Sequence, residues 1–373
     1  MKEWKERAVS FLHDLVKIYS PSGKEKEIAE FVAKYFQTIL GFEDVKLNDV
    51  WNVTARVTYG KPEVYLLGHI DTVPGPLPVK LNGSYLWGRG AVDAKAAFAS
   101  FIFASYLLRD EGFDGGIVVG GLADEEGTGK GVRSFAKEFK KPDFAVFGEP
   151  SGLNHITVGY KGRIQLTFRV RTESYHASAP WLGHNAFERA IKIYQLVKTI
   201  LKNLDRSKRP GYSSISECVT LFRAGDAVNV TPSSANFIID IRIPPYVRAK
   251  DIVSIIKDDL DRKDLGVKEL KMEVGEITDA YLADVGGLLP RAFTRAIYRI
   301  TGKPAKMVKK SGTGDMNFYG NELQVKTITV GPGNSKLSHS SSEVINLDEY
   351  INHIIIIKEA MRELYDMWKG VRR

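Results

Sequence analysis

The residues of this chain whose types and spacing could do chemistry are a His-x-Asp pair, His69 and Asp71, an acidic pair, Glu125 and Glu126, and three single groups, Asp93, Glu149 and His339. Imidazole and carboxylate without thiolate form the donor set of catalytic Zn²⁺ or Co²⁺ ions, with Mn²⁺ a further fit. Asp93 stands in Gly88-Arg89-Gly90-Ala91-Val92-Asp93-Ala94-Lys95, just ahead of an apolar run. A carboxylate delivered there can give one oxygen to each of two ions, as the centre of a two-metal hydrolase requires. In His69-x-Asp71 the side chains can share one face of an extended segment, so Asp71 can orient the imidazole from behind. Adjacent residues of an extended chain point apart, so Glu125 and Glu126 should divide the work. One would hold metal and the other would take a proton from the attacking water.

These groups need elements to position them. Residues 64–68, 116–122 and 144–147 are short apolar runs bounded by turn residues, the pattern of strands buried on both faces, and they end at His69, Asp124 and Gly148. Helices are expected at 94–108 and 131–139 between them, which predicts an α/β sheet whose ligands sit beyond the carboxyl ends of its strands. Ser22-x-x-Glu25 reads as a capping box opening a helix that runs to about residue 40. From about residue 163 the texture changes to alternating strands and amphipathic helices, giving an inserted α+β domain over 163–275. Residues 1–162 and 276–373 then form one discontinuous catalytic domain. A glycine-rich turn at 311–315, a strand at 325–330, a loop at 331–342 and a final helix capped by Asn346 and Glu349 complete it.

Composition narrows the class. The chain has 373 residues, a net charge of +8 and one cysteine, Cys218. A lone cysteine excludes a disulfide framework and a thiolate cluster, and is read as a small buried hydrophobe. The first twenty residues form an amphipathic helix rather than a signal, and the apolar run at 96–108 is too short to span a bilayer. The expectation is a cytoplasmic protein with no membrane partner. No block of like charge or nucleic-acid module accompanies the basic balance, which points to an acidic partner and away from nucleic acid.

His69-Ile70-Asp71-Thr72-Val73, the 88–95 segment, Asp124-Glu125-Glu126, Gly148-Glu149-Pro150 and His339, in that order over essentially the whole chain, resemble the dizinc amidohydrolases: acetylornithine deacetylases, succinyl-diaminopimelate desuccinylases, aminoacylases and glutamate carboxypeptidases. The resemblance implies a phosphorylase/hydrolase-like catalytic domain with a mixed sheet and an inserted ferredoxin-like dimerisation domain. It makes Asp93 the bridging ligand of two divalent ions, Zn²⁺ first and Co²⁺ as the alternative. It puts His69 and Glu149 on one ion, Glu126 and His339 on the other, and makes Glu125 the general base. His176, in Tyr175-His176-Ala177-Ser178, would reach the scissile carbonyl of the partner subunit in a homodimer. Asn229 and Arg242 match positions lining the substrate site, although a structural salt bridge is an equal reading of Arg242. Gly312, Thr313 and Gly314 match a substrate loop. Within the family the chain is similar to hydrolases of lysine and arginine biosynthesis that release lysine or ornithine from the C-terminal glutamate γ-carboxyl of a small acidic, LysW-like amino-group carrier protein. An N-acetylornithine or N-acetyllysine deacetylase, a carboxypeptidase or an aminoacylase is the alternative on the same machinery.

Overall fold

The computed structural model describes residues 3–207 and 209–372. The chain divides into two compact units, Met1–Gly159 with Ala283–Lys309 and Gly314–Arg373, and Tyr160–Leu282 with Lys310–Thr313.

In the first unit four parallel strands lie side by side in the order Gly116–Leu122, Glu63–His69, Phe144–Gly148, Lys326–Val330. Antiparallel strands flank them, Val53–Thr58 and Asp44–Leu47 on one side and His155–Tyr160 on the other. The result is a large mixed sheet. Every residue of Gly116–Leu122 and Phe144–Gly148 is buried, which is why these runs are apolar without alternation. Helix Lys95–Asp110 packs on the sheet and against helices Glu3–Lys17 and Leu347–Arg372. It comes close because the strands beneath it carry glycine: a Cβ on Gly68 or Gly121 would stand 2.9 or 2.7 Å from Phe98. That close seat fixes the start of the helix, and with it Asp93.

The second unit runs strand Gly162–Arg171, helix Ala186–Leu204, strands Ser216–Ala224 and Ser234–Ile243, helix Ala249–Asp261 and strand Glu269–Thr278. Its antiparallel sheet has the order Ser216–Ala224, Ser234–Ile243, Gly162–Arg171, Glu269–Thr278, the ferredoxin-like split βαβ arrangement. Ile164, Leu166, Phe168 and Val170 face one core with Ile193 and Val197 of the first helix and Ile252 and Ile256 of the second. Asn185 caps the first helix by accepting from Phe187 N.

Several local expectations are corrected. Ser22 and Glu25 do not form a capping box: the helix starts at Lys26 without a side-chain cap, because both side chains are drawn into the site described below. Cys218 is exposed. Its neighbour Val219 packs against the core, and successive strand residues point to opposite faces, so Cys218 turns outward. The glycine-rich turn leads into a helix, Asp315–Asn321, that its seven residues were too few to announce. Asn346 does cap the last helix by accepting from Glu349 N, but the Glu349 carboxylate is used by Leu153 N and Gly333 N. Among the described residues no helix is long and apolar enough to cross a membrane.

Candidate metal centre

All four parallel strands of the first unit run toward one set of loops. His69 closes strand Glu63–His69, with Asp71 two residues on. Glu125 and Glu126 follow Gly116–Leu122, and Glu149 follows Phe144–Gly148. His339 lies in the loop after Lys326–Val330. Asp93 arrives from the side, ahead of helix Lys95–Asp110. Gly90, at φ +85°, lets the loop turn where a Cβ would meet Lys95 and Thr72 at 2.9 Å.

The structure brings these groups together, with His69 and Glu149 as one set and His339 and Glu126 as another about Asp93. His69 Nε2 is 3.4 Å from Asp93 Oδ1 and 3.7 Å from Glu149 Oε1. His339 Nε2 is 3.3 Å from Asp93 Oδ2 and 2.7 Å from Glu126 Oε1. Each Asp93 oxygen therefore faces one imidazole, and each imidazole faces one glutamate. Ligands about 2.0–2.1 Å from a tetrahedral Zn²⁺ lie roughly 3.3 Å from one another, so these spacings suit one cation per set. Glu125 is also near: a carboxylate oxygen of it lies within 4.8 Å of ligand atoms of His69 and Glu149, and Glu126 stands likewise to His69 and Asp93. The shorter contact from Glu126 to His339 is what separates the two acids.

Charge supports the same reading. Five carboxylates surround two imidazoles, an excess that divalent cations would offset. Burial opposes ionisation of Asp93, but hydrogen bonds from His339 and His69 hold its carboxyl far below the usual range. Burial opposes protonation of His69, yet Asp71 and Asp93 hold it well above the usual imidazole value, and Asp93 with Glu126 pushes His339 up to about 9. Glu125 is pushed well above the carboxylate range, first by burial and then by Glu149. Asp124 and His339 adopt left-handed backbone, φ +60° and +62°, a conformation costing non-glycine residues about 1–2 kcal/mol that recurs at functional sites.

Asp71 does more than face an imidazole. His69 Nδ1 is 2.9 Å from the Asp71 carbonyl oxygen and 3.5 Å from its carboxylate. The carboxylate accepts from Ser22 Oγ and from the backbone N–H of both Glu125 and Glu126. Asp71 thus orients the acidic pair through its main chain. Glu25, fully buried, accepts from Gly23 N and Asp124 N and ties the same loop from the other side. Lys95, also fully buried, donates to the carbonyls of Leu15 and Ile18, satisfying acceptors at the end of helix Glu3–Lys17. Glu343 accepts from Val92 N and Asp93 N. The sequence reading missed these supports. Ser22 and Glu25 carried a signal of the wrong kind, and Glu343 carried none.

The second unit holds His176, Asn229 and Arg242. Tyr175 and Ala177 pair with Thr231 and Asn229 through backbone hydrogen bonds, which sets His176 opposite Val230; His176 and Asn229 are both exposed. Nδ1 of His176 accepts from Ser178 N, so the neutral ring carries its proton on Nε2. Arg242 donates to Asp240 at 2.6 Å and to Thr313 Oγ1 at 3.2 Å, and Asp240 also receives Arg163 at 2.7 Å. The structural salt bridge considered for Arg242 is present. Gly312 and Thr313 belong to this unit and Gly314 to the first, where a Cβ on Gly314 would stand 3.6 Å from Glu125 Oε1.

Comparison with known proteins identifies the family. The description of peptidase family M20/M25/M40 matches residues 65–363. A Sulfurisphaera tokodaii protein named LysW-lysine/LysW-ornithine hydrolase is 30% identical over 97% of this chain and 97% of its own. A Pyrococcus furiosus protein that carries the same name provisionally is 38% identical over 96% of this chain and 98% of its own. Among solved structures, an M20 family metallo-carboxypeptidase of Sulfolobus solfataricus superposes with TM-score 0.80 at 17% identity, covering 96% of this chain and 99% of that one.

Proposed function

The chain belongs to peptidase family M20/M25/M40 and is a metal-dependent hydrolase, and we propose that it cleaves the amide bond joining lysine or ornithine to the C-terminal glutamate γ-carboxyl of a small acidic carrier protein of the LysW type. The observation that carries the hydrolytic chemistry is the pairing of His69 with Glu149 and of His339 with Glu126 on opposite oxygens of Asp93. Relatives of that name along nearly the full chain support the substrate.

His69 and Glu149 would hold one ion, His339 and Glu126 the other, and Asp93 both. Zn²⁺ suits the set and Co²⁺ is the alternative. Divalent ions bound there supply Lewis acidity, acidifying a water and polarising the carbonyl. Glu125 takes the proton from the attacking water and delivers it to the departing amine. Asp71 keeps His69 and the Glu125-Glu126 backbone in register. In our reading residues 163–275 form the dimerisation domain of a homodimer, and His176, with its proton on Nε2, donates across the interface to the developing oxyanion. One such donor is worth about 3–4 kcal/mol of barrier. We assign Asn229, Arg242 and the 312–314 loop to recognition of the substrate. The enzyme works in the cytoplasm on a protein partner, and its net charge of +8 would speed encounter with an acidic carrier.

The test is amino-acid release by metal-loaded enzyme from carrier bearing γ-linked lysine or ornithine, set against N-acetyllysine, N-acetylornithine and C-terminal peptides. A kcat/KM at least a hundredfold higher on the conjugates is expected. Preference for the acetylated amino acids or peptides would overturn the carrier assignment.

A further inference from the structure

The two loops that meet at Asp93 Oδ2 come from opposite ends of the chain. His339 sits in a loop well past the end of its strand, with its side chain 51% exposed. His69 and Glu149, by contrast, close adjacent parallel strands, and the sheet itself fixes their separation. Something else must hold His339 and Asp93 in register.

Glu343 and Arg89 are placed to do so. Glu343 is 1% exposed, and its carboxylate spans three donors: Oε1 accepts from Val92 N at 2.9 Å and Asp93 N at 3.0 Å, and Oε2 from Arg89 at 3.0 Å. Its carbonyl oxygen accepts from Gly88 N. Arg89, 8% exposed, donates onward to the carbonyl of Gly75 and to that of Ser340, the residue after His339. One buried ion pair therefore grips the Asp93 loop at three points, Gly88 N, Val92 N and Asp93 N, and the His339 loop at one, the Ser340 carbonyl.

We infer that Arg89 and Glu343 are positioning residues that set the Asp93–His339 separation, and so the affinity of the cation position formed by Asp93, Glu126 and His339. The inference rests on the two-cation reading above. Neither residue touches a cation. Partners behind metal ligands commonly change affinity 10–100-fold when lost.

Two variants test it. In Glu343→Gln the amide oxygen can still accept from Val92 N and Asp93 N, but the amide NH₂ then faces the Arg89 guanidinium, donor against donor. In Arg89→Lys a single ammonium cannot span Gly75, Ser340 and Glu343 as the planar guanidinium does. Zn²⁺ binding is titrated by calorimetry on metal-free protein, with near-UV circular dichroism as the check on folding. Wild type should take up two equivalents. Both variants should bind one equivalent with unchanged affinity and the second about 10–100-fold more weakly, with kcat depressed, KM little changed and activity partly restored by added Zn²⁺. Two equivalents bound at wild-type affinity in both variants, or equal weakening of both equivalents, would overturn the inference. Wild type that binds fewer than two equivalents would bring down the two-cation reading and this inference with it.

Discussion

Neutralising each acid of the Glu125-Glu126 pair in turn distinguishes a base from a ligand. Glu126 Oε1 is 2.7 Å from His339 Nε2, inside the set that shares Asp93 Oδ2, whereas Glu125 is bounded by Glu149, Glu126 and Asp315 and pushed well above the carboxylate range. Glu125→Gln keeps the shape, removes the proton acceptor and relieves repulsion among these acids. The metal-free variant should be at least as stable as wild type. Loss of a general base costs about 10²–10⁴ in rate, or roughly 3–5 kcal/mol of barrier at 1.36 kcal/mol per decade. Metal content should stay at the wild-type value. Glu126→Gln removes an anionic ligand, so it should lose one ion and regain part of its activity when metal is added. The assay pairs kcat/KM on the carrier conjugate with metal analysis of dialysed protein. A Glu125→Gln enzyme that keeps more than about a tenth of wild-type kcat/KM would refute the base assignment, since so small a loss falls well short of that expected for a general base. Loss of an ion from Glu125→Gln with retention of both in Glu126→Gln would exchange the two roles.

Ser22→Ala removes a hydroxyl that donates to the fully buried carboxylate of Asp71. Hydrogen bonds to charged groups contribute about 1.5–3 kcal/mol, so urea denaturation should show a loss approaching that range, and a change indistinguishable from zero would mean that the contact does not matter. His353 is buried between helices with Nδ1 on Ser100 Oγ, and burial pushes its pKa down to about 3. The unfolded chain takes up this proton near pH 6.5 and the folded chain does not, so acidification favours unfolding and stability falls between those two values. From pH 7 to 5 the loss attributable to this group should be about 2 kcal/mol. His353→Leu should lack that component, and parallel stability–pH curves for wild type and variant would disprove it.

Much of the site could be read from the sequence because it is encoded locally. An apolar run flanked by turn residues specifies a buried strand whatever packs on it. The groups just beyond Gly68, Leu122 and Gly148 are therefore strand-end groups in any fold that buries those runs. Donor types restrict the chemistry in the same local way: imidazole and carboxylate, with one cysteine in the whole chain. The alternation of Ile164, Leu166, Phe168 and Val170 likewise announced a sheet with one wet face.

Tertiary structure decided which hydrogen-bonding capacity goes where. Ser22 and Glu25 have the spacing of a capping box, but a serine hydroxyl and a carboxylate bond whatever donor or acceptor the fold brings nearest. Here those are Asp71 and the backbone at Gly23 and Asp124. Cys218 lies on a strand whose inward face belongs to Val219, and no property of the cysteine itself chooses the face. Strand order placed His69 beside Glu149, and chain return placed Glu343 under Asp93 across 250 residues. Residue type and periodicity determine burial and donor chemistry within a few residues. Contacts between distant segments depend on the order in which strands assemble, and no local pattern encodes that order.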